Sequence, residues 1–317
     1  CLLAGVTTSQ GLKLSGVGIE KFYKGIVRNV EQGGNPELPA ARTRIPDVEA
    51  SEIEKFFKNL DKLDDKSALL LHLSEGVDDK AREPFLALKR NNGTWAITEA
   101  LAGIHCAGLW EEDFITLQAH GGSMVWSPLS NLMLYQETAR IKDARDAGVL
   151  IALGSDWSPS GSKNLLGELK IAHIHSQQMG GLFTAQELVE MVTVNPARIV
   201  KWHQALGSLQ SSYLADLIVL DGTAGDPYDN LIAATEAAIS LVMIDGVPRC
   251  WRQSLAPAFP SGTEQLQIGA ELRTLNLSDP SANLALHDLT IAAARERLQH
   301  GLRRLPRAGA LVAQLHQ

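Results

Sequence analysis

The chain is poor in cysteine and has no basic block and no long apolar run. Its three cysteines, Cys1, Cys106 and Cys250, are scattered over 317 residues with no CxxC spacing. An odd set of this kind argues against a disulfide framework or a Cys-ligated zinc knuckle, and a reducing cytoplasm is the simplest setting. Net charge is −7, and no cluster of Lys or Arg is long enough to track a phosphate backbone, which excludes nucleic acid as the expected partner. The longest apolar runs, 68–71 and 149–153, are far too short to cross a bilayer, so no membrane span is expected. GxSxG, P-loop and GxGxxG patterns are missing, which removes support for serine hydrolase, NTPase and Rossmann chemistry. Histidine is missing from the first 71 residues.

What is present is an ordinary hydrophobic share of 45%, enough for a real core. Strand-length apolar runs alternate with amphipathic stretches. Strands are expected over 25–30, 68–73, 104–106, 123–126 and 149–154, and helices from Ser51 and over 77–90, 111–119, 136–147 and 164–179. Ser51 with Glu54 and Thr184 with Glu187 read as capping boxes, and Asn195-Pro196 as a helix start. Such βαβα alternation implies a parallel sheet buried on both faces, without separating a closed barrel from an open sheet. After Gly207 the texture becomes that of a small β unit, with strands over 214–220 and 239–244 and turns at Asp221-Gly222 and Asp245-Gly246. Three regions result: a barrel-like part over 1–205, a β-sandwich part over 206–251, and a loop-rich extension over 252–317. That extension carries one amphipathic helix on Ile291, Ala294, Leu298, Leu302 and Leu305, expected to dock on the chain itself.

Polar groups sit just after three of the apolar runs: His72-Leu73-Ser74-Glu75, His105-Cys106 and Ser155-Asp156. In parallel α/β folds catalytic groups collect at strand C-termini, so these side chains can converge. Imidazole nitrogen and carboxylate oxygen suit a divalent metal, and a bound metal lowers the pKa of water to about 7. A carboxylate that is not a ligand, such as Glu75, can then carry the proton to a leaving nitrogen. A single His or Asp at a strand end is more often structural, but three in register favour a site. His173-Ile174-His175 is set aside, because i and i+2 on a helix face different ways.

The segments LLLHLSEG, GIHCAGL, VWSPLSNLMLY, LIALGSDWSPSG and MVTVNPARIVKWHQALGSLQSSYLADLIVLDG resemble the amidohydrolase superfamily, in its cytosine deaminase-like and triazine hydrolase-like branch. The resemblance spans about residues 1–250 with the motifs in the family's order. It implies an α/β fold of the (β/α)8 TIM-like type with a small β-sandwich, and one divalent ion, zinc first and iron second. It makes His72 the strand-5 metal ligand and Asp156 the strand-8 ligand. Glu75 becomes the proton-transferring acid and His105 the strand-6 His that polarises substrate or orients water. Asp156 also joins the proton relay, and Ser127, Asn131 and Trp157 lie where substrate is bound.

One departure is large: the family's HxH does not precede His72. The GVTT run near the start resembles the family's second-strand region. Strand 1 and its two ligands are therefore expected upstream of Cys1, and strand 4 has no obvious position between Val30 and Leu69. The resulting expectation is a cytoplasmic, metal-dependent hydrolase of carbon–nitrogen bonds in a small cyclic or amide-like molecule, with deamination leading. The chain as given is expected to hold metal weakly and to turn over poorly. A homo-oligomer is left open. The rival is a catalytically silent barrel fragment with a binding or structural role.

Overall fold

The computed structural model describes residues 1–11, 26–44, 53–63, 66–222, 225–259, 264–278 and 290–304. Two short strands open it: β1 (Thr8–Ser9) pairs in parallel with β2 (Arg28–Asn29). The Ala41 N–H then donates to the Val30 carbonyl at 2.7 Å, which brings this pair beside β3 (Arg42–Arg44). A five-stranded parallel sheet follows in strict chain order: β3, β4 (Leu69–Leu73), β5 (Leu101–His105), β6 (Ser123–Trp126) and β7 (Leu150–Leu153). No reversal of order interrupts these strands, whereas a doubly wound sheet reverses at its switch point. The sequential order is that of a TIM-like sheet. The strand at Arg42–Arg44 fills the gap between Val30 and Leu69. Only Arg28 and Asn29 of the expected 25–30 strand are paired, and Gly25 lies outside the described residues.

Helices fill the crossovers. α1 (Ile53–Leu60) precedes β4, α2 (Asp79–Leu86) and α3 (Glu111–Ala119) flank β5, and α4 (Pro128–Tyr135) and α5 (Ile141–Asp146) lie between β6 and β7. α6 (Leu165–Gln178), α7 (Ala185–Glu190) and α8 (Val194–Ile199) follow. Alternation in β4 shows why the sheet is apolar throughout. Leu69, Leu71 and Leu73 pack with Phe85, Phe114 and Leu117 in the helix layer. Leu70 joins Ala102, Ile104, Ala152, Ile199 and Trp202 on the other face. His72 shares the parity of Leu70 and so points to that second face.

The second sheet is antiparallel, in the order β11 (Glu264–Ile268), β12 (Glu271–Leu275), β10 (Val247–Arg252), β9 (Ile239–Ile244), β8 (Leu217–Leu220). Asp245 and Gly246, both at positive φ, form the tight turn between β9 and β10. α9 (Pro227–Ala233) sits between β8 and β9, and α10 (Ile291–Arg303) closes the described chain.

Several local expectations are corrected. The helix expected over 136–147 is only α5, Ile141–Asp146, and a separate helix, α4, runs before it over Pro128–Tyr135, with Pro128 at its first position. Asn195 lies inside α8 instead of capping it, and its amide donates to the Ile151 carbonyl at 2.8 Å. Beyond 252 the chain supplies β11 and β12 to the small sheet. The stripe on α10 is only partly buried: Ile291 packs on the core of the second sheet, Leu298 is 64% exposed, and Leu305 lies outside the described residues. The capping box at Thr184 is present in α7, while Ser51 lies outside the described residues.

Candidate active site

His72, Glu75, His105 and Asp156 come together beyond the C-terminal ends of β4, β5 and β7. Donor atoms of His72, His105 and Asp156 all lie within 4.8 Å of one another. The two imidazoles face each other with centroids 5.3 Å apart. Glu75 reaches in from the same loop as His72, with its Oε2 3.7 Å from His105 Nε2.

Unusual backbone makes this convergence possible. Ser74, His105, Cys106 and Asp156 all have positive φ, between 51° and 70°. For residues with a Cβ this left-handed region is sparsely populated, and it gathers at functional sites when surrounding structure holds it. By strict alternation His105 would follow Leu101 into the helix layer. Its φ of 70° breaks the alternation and turns the ring towards His72. The chain then doubles back so closely that a Cβ on Gly103 would lie 2.5 Å from Cys106 Sγ. The Cys106 N–H donates to the Leu73 carbonyl at 3.1 Å and the Gly108 N–H to that of Ser74 at 2.9 Å, which ties the two strand-end loops together.

Hydrogen bonds orient each group. His72 Nδ1 lies 3.4 Å from the Arg44 carbonyl of the adjacent strand. A carbonyl only accepts, so this contact places the proton on Nδ1 and leaves the Nε2 lone pair free. Asp156 is exposed and accepts from Ser130 Oγ at 2.5 Å. Glu75 accepts from Tyr135 Oη at 3.0 Å. His105 is 1% exposed, and its Nδ1 lies 3.2 Å from Asn131 Nδ2. Burial pushes the His105 pKa down, opposed by the charges of Glu75 and Asp156. Its Nε2 and the Ser74 hydroxyl are buried with no hydrogen-bond partner among the described residues. Such orphaned polar atoms call for a ligand or a reacting group. The nitrogen donor of His72 and the oxygen donor of Asp156, within 4.8 Å of each other, are of the chemistry that would suit a divalent ion such as zinc.

Helix α4 supplies most of these supports, and sequence reasoning passed over it. Ser130, Asn131 and Tyr135 hold Asp156, His105 and Glu75 respectively. Glu168, wholly buried on α6, accepts the Leu129 N–H at 2.8 Å and the Ser162 hydroxyl. It thereby caps α4 and pins the loop that follows β7. Desolvation raises the Glu168 pKa, opposed by those same hydrogen bonds. A signal was available: Glu168 shares a helical face with Leu165, Leu169 and Ala172, so its burial could be anticipated. Of the other expected residues, Ser127 is buried at the start of α4 and Trp157 is 68% exposed at the rim. Asn131 is fully buried, with its amide engaged by His105 and Thr138. His173 and His175 lie on α6, where His175 packs edge-on against Trp126.

Known proteins resemble this chain over part of its length. Residues 93–249 match the amidohydrolase family. A 5-methylthioadenosine/S-adenosylhomocysteine deaminase of Clostridium tetani is 27% identical over 157 residues, covering 46% of this chain and 37% of its own length. An S-triazine hydrolase of Gordonia rubripertincta is also 27% identical, over 155 residues that cover 48% of this chain and 32% of the relative. The chain thus spans less than half the length of these curated relatives. Among solved structures, a zinc-bound adenosine deaminase from Xanthomonas campestris superposes with a TM-score of 0.60 at 22% identity, covering 69% of this chain and 53% of that one. His105, Asp156 and all of α4 fall inside the matched segment, while His72 and Glu75 precede it. The match over residues 93–249, together with these curated relatives, is consistent with the amidohydrolase superfamily.

Proposed function

We propose that the chain is a metal-dependent hydrolase acting on carbon–nitrogen bonds of a small cyclic or amide-like substrate, with deamination as its leading reaction. The observation that carries this reading is the meeting of His72, His105 and Asp156 within 4.8 Å, beside Glu75. His72 Nε2 and an Asp156 oxygen would hold the ion, zinc first and iron second. When bound, a divalent ion supplies Lewis-acid polarisation and makes water a competent nucleophile near neutral pH.

The side chains then divide the work. Glu75, fixed by Tyr135, takes a proton from the attacking water and delivers it to the leaving nitrogen. The water oxygen bonds to the substrate carbon, the carbon–nitrogen bond breaks, and the nitrogen leaves as the neutral amine or ammonia. His105 steadies the negative charge that develops on the substrate, from a site where low dielectric strengthens the interaction. Asp156 accepts the second proton of the water and returns it to the substrate atom that carried the negative charge, so both carboxylates end as they began. Trp157 offers an exposed indole face to a planar ring, and the buried Ser127 and Asn131 are the remaining substrate-side candidates.

The sequential parallel strands are read as part of an eight-stranded barrel, with the antiparallel sheet as its small companion domain. Among the described residues no helix is long and apolar enough to cross a membrane. The cytoplasm and a small-molecule substrate are the setting proposed.

The activities of the relatives set the first substrate panel: an aminopurine nucleoside and an s-triazine. Ammonia release is measured alongside bound metal for the chain and for Glu75→Gln. The expected outcome is turnover that falls by about 10²–10⁴-fold in the variant with metal content unchanged. Equal loss of metal and turnover would make Glu75 a ligand. A chain with neither metal nor turnover would favour the silent-barrel reading.

A further inference from the structure

We propose that Asn131, backed by Thr138 and Trp126, is a positioning residue that locks His105 in its Nε2–H tautomer. The imidazole then donates a hydrogen bond into the site and is withheld from the metal. The inference rests on the functional reading above only in taking His105 to face the reacting atoms.

The argument follows the donors one at a time. An indole N–H can only donate. Trp126 Nε1 lies 2.8 Å from Thr138 Oγ1, so that hydroxyl accepts there and its own hydrogen must go elsewhere. The Asn131 Oδ1, at 3.4 Å, receives it. With its oxygen turned to Thr138, the amide presents Nδ2 to His105 Nδ1 at 3.2 Å. An amide nitrogen only donates, so Nδ1 must be the acceptor, and a neutral ring then carries its proton on Nε2. That Nε2 is the buried atom with no hydrogen-bond partner among the described residues, 3.7 Å from Glu75 Oε2.

The relay is rigid for identifiable reasons. Trp126 ends β6 and is fully buried, and Asn131 is fully buried on α4. Because Asn131 and Ser130 are neighbours on one helix, the same element that aims the Asp156 carboxylate also sets the proton on His105. Proximity alone would group His105 with His72 and Asp156 as a third ligand. The relay separates them: a nitrogen that carries a proton has no lone pair to coordinate with.

The full chain, labelled with ¹⁵N-histidine, reports this directly in long-range ¹H–¹⁵N ring spectra. His105 is assigned from the signals that vanish in His105→Gln. In the unsubstituted chain we expect a pyrrole-type Nε2 and a pyridine-type Nδ1. Asn131→Asp replaces the donor with an acceptor and should switch the ring to Nδ1–H. Thr138→Val frees the amide to rotate and should give a mixture of tautomers. An Nδ1–H ring or an imidazolium in the unsubstituted chain overturns the proposal, as does an Nε2–H ring that persists in Asn131→Asp. Should that variant fail to fold, the unsubstituted chain and Thr138→Val still decide. None of these readouts needs turnover, so the tautomer and the assigned chemistry can fail separately.

Discussion

His72 and His105 stand one strand apart with rings 5.3 Å from each other, yet their surroundings prepare them for opposite tasks. Behind His72 is a backbone carbonyl, that of Arg44, which takes the Nδ1 proton and turns a lone pair inward. Behind His105 is an amide, that of Asn131, whose donating face leaves the inward nitrogen protonated on the tautomer proposed above. On these proposals, two identical side chains at equivalent strand ends serve as a ligand and a hydrogen-bond donor. The difference lies in atoms one layer further out.

The largest effect expected from breaking this pair is on metal. His72→Gln should bind added zinc far more weakly than the unsubstituted chain, measured by titration with the metal. His105→Gln should keep that binding while losing turnover. If both variants lose zinc binding equally, His105 is a third ligand and the contrast collapses. The result also bears on affinity, because one imidazole and one carboxylate make a thin ligand set and predict weak retention even in the unsubstituted chain.

This contrast shows what could be read from the residues alone. His72, His105 and Asp156 were legible because an apolar run followed by a polar residue marks a strand end, and parallel strands bring their ends together. Their roles came from the resemblance, since nothing local separates one histidine from the other. The supports were illegible for a physical reason: Ser130, Asn131, Tyr135 and Glu168 act across 26, 26, 60 and 39 residues of sequence. α4 was also hidden by its own composition. Met133 and Leu134 are exposed apolar residues that blur the helical period, although Ser127-Pro128 marked the start. Strands β11 and β12 were missed because Pro, Ser and Gly around them read as loop.

A smaller effect is expected at Glu168, which braces α4 and through it His105 and Asp156, without touching either histidine. Glu168→Ala leaves the Leu129 N–H unsatisfied in a buried place, a loss of about 1–3 kcal/mol, measured as a lower denaturation midpoint. The Asp156 loop should loosen with it, because Ser162 loses its acceptor. Glu168→Gln keeps a carbonyl oxygen for one of the two donors and should recover part of the midpoint. No recovery would mean that charge, not shape, sets the brace.

The smallest effect is expected at a site that should leave the two histidines alone. Thr184 caps α7, where its N–H and hydroxyl donate to Glu187 at 2.8 and 2.9 Å. The hydrogen bond from the Thr184 backbone holds the Glu187 pKa below its ordinary value. A carboxyl depressed in the folded state adds stability above its unfolded pKa, and that stability is lost as pH falls through the folded pKa. Thr184→Ala should cost about 0.5–2 kcal/mol at neutral pH, and Glu187→Gln should flatten the acid side of the stability profile. Both should leave zinc binding and the ring spectra of His72 and His105 unchanged. A change in either would show that global stability, and not the local carbonyl and amide, separates the two imidazoles.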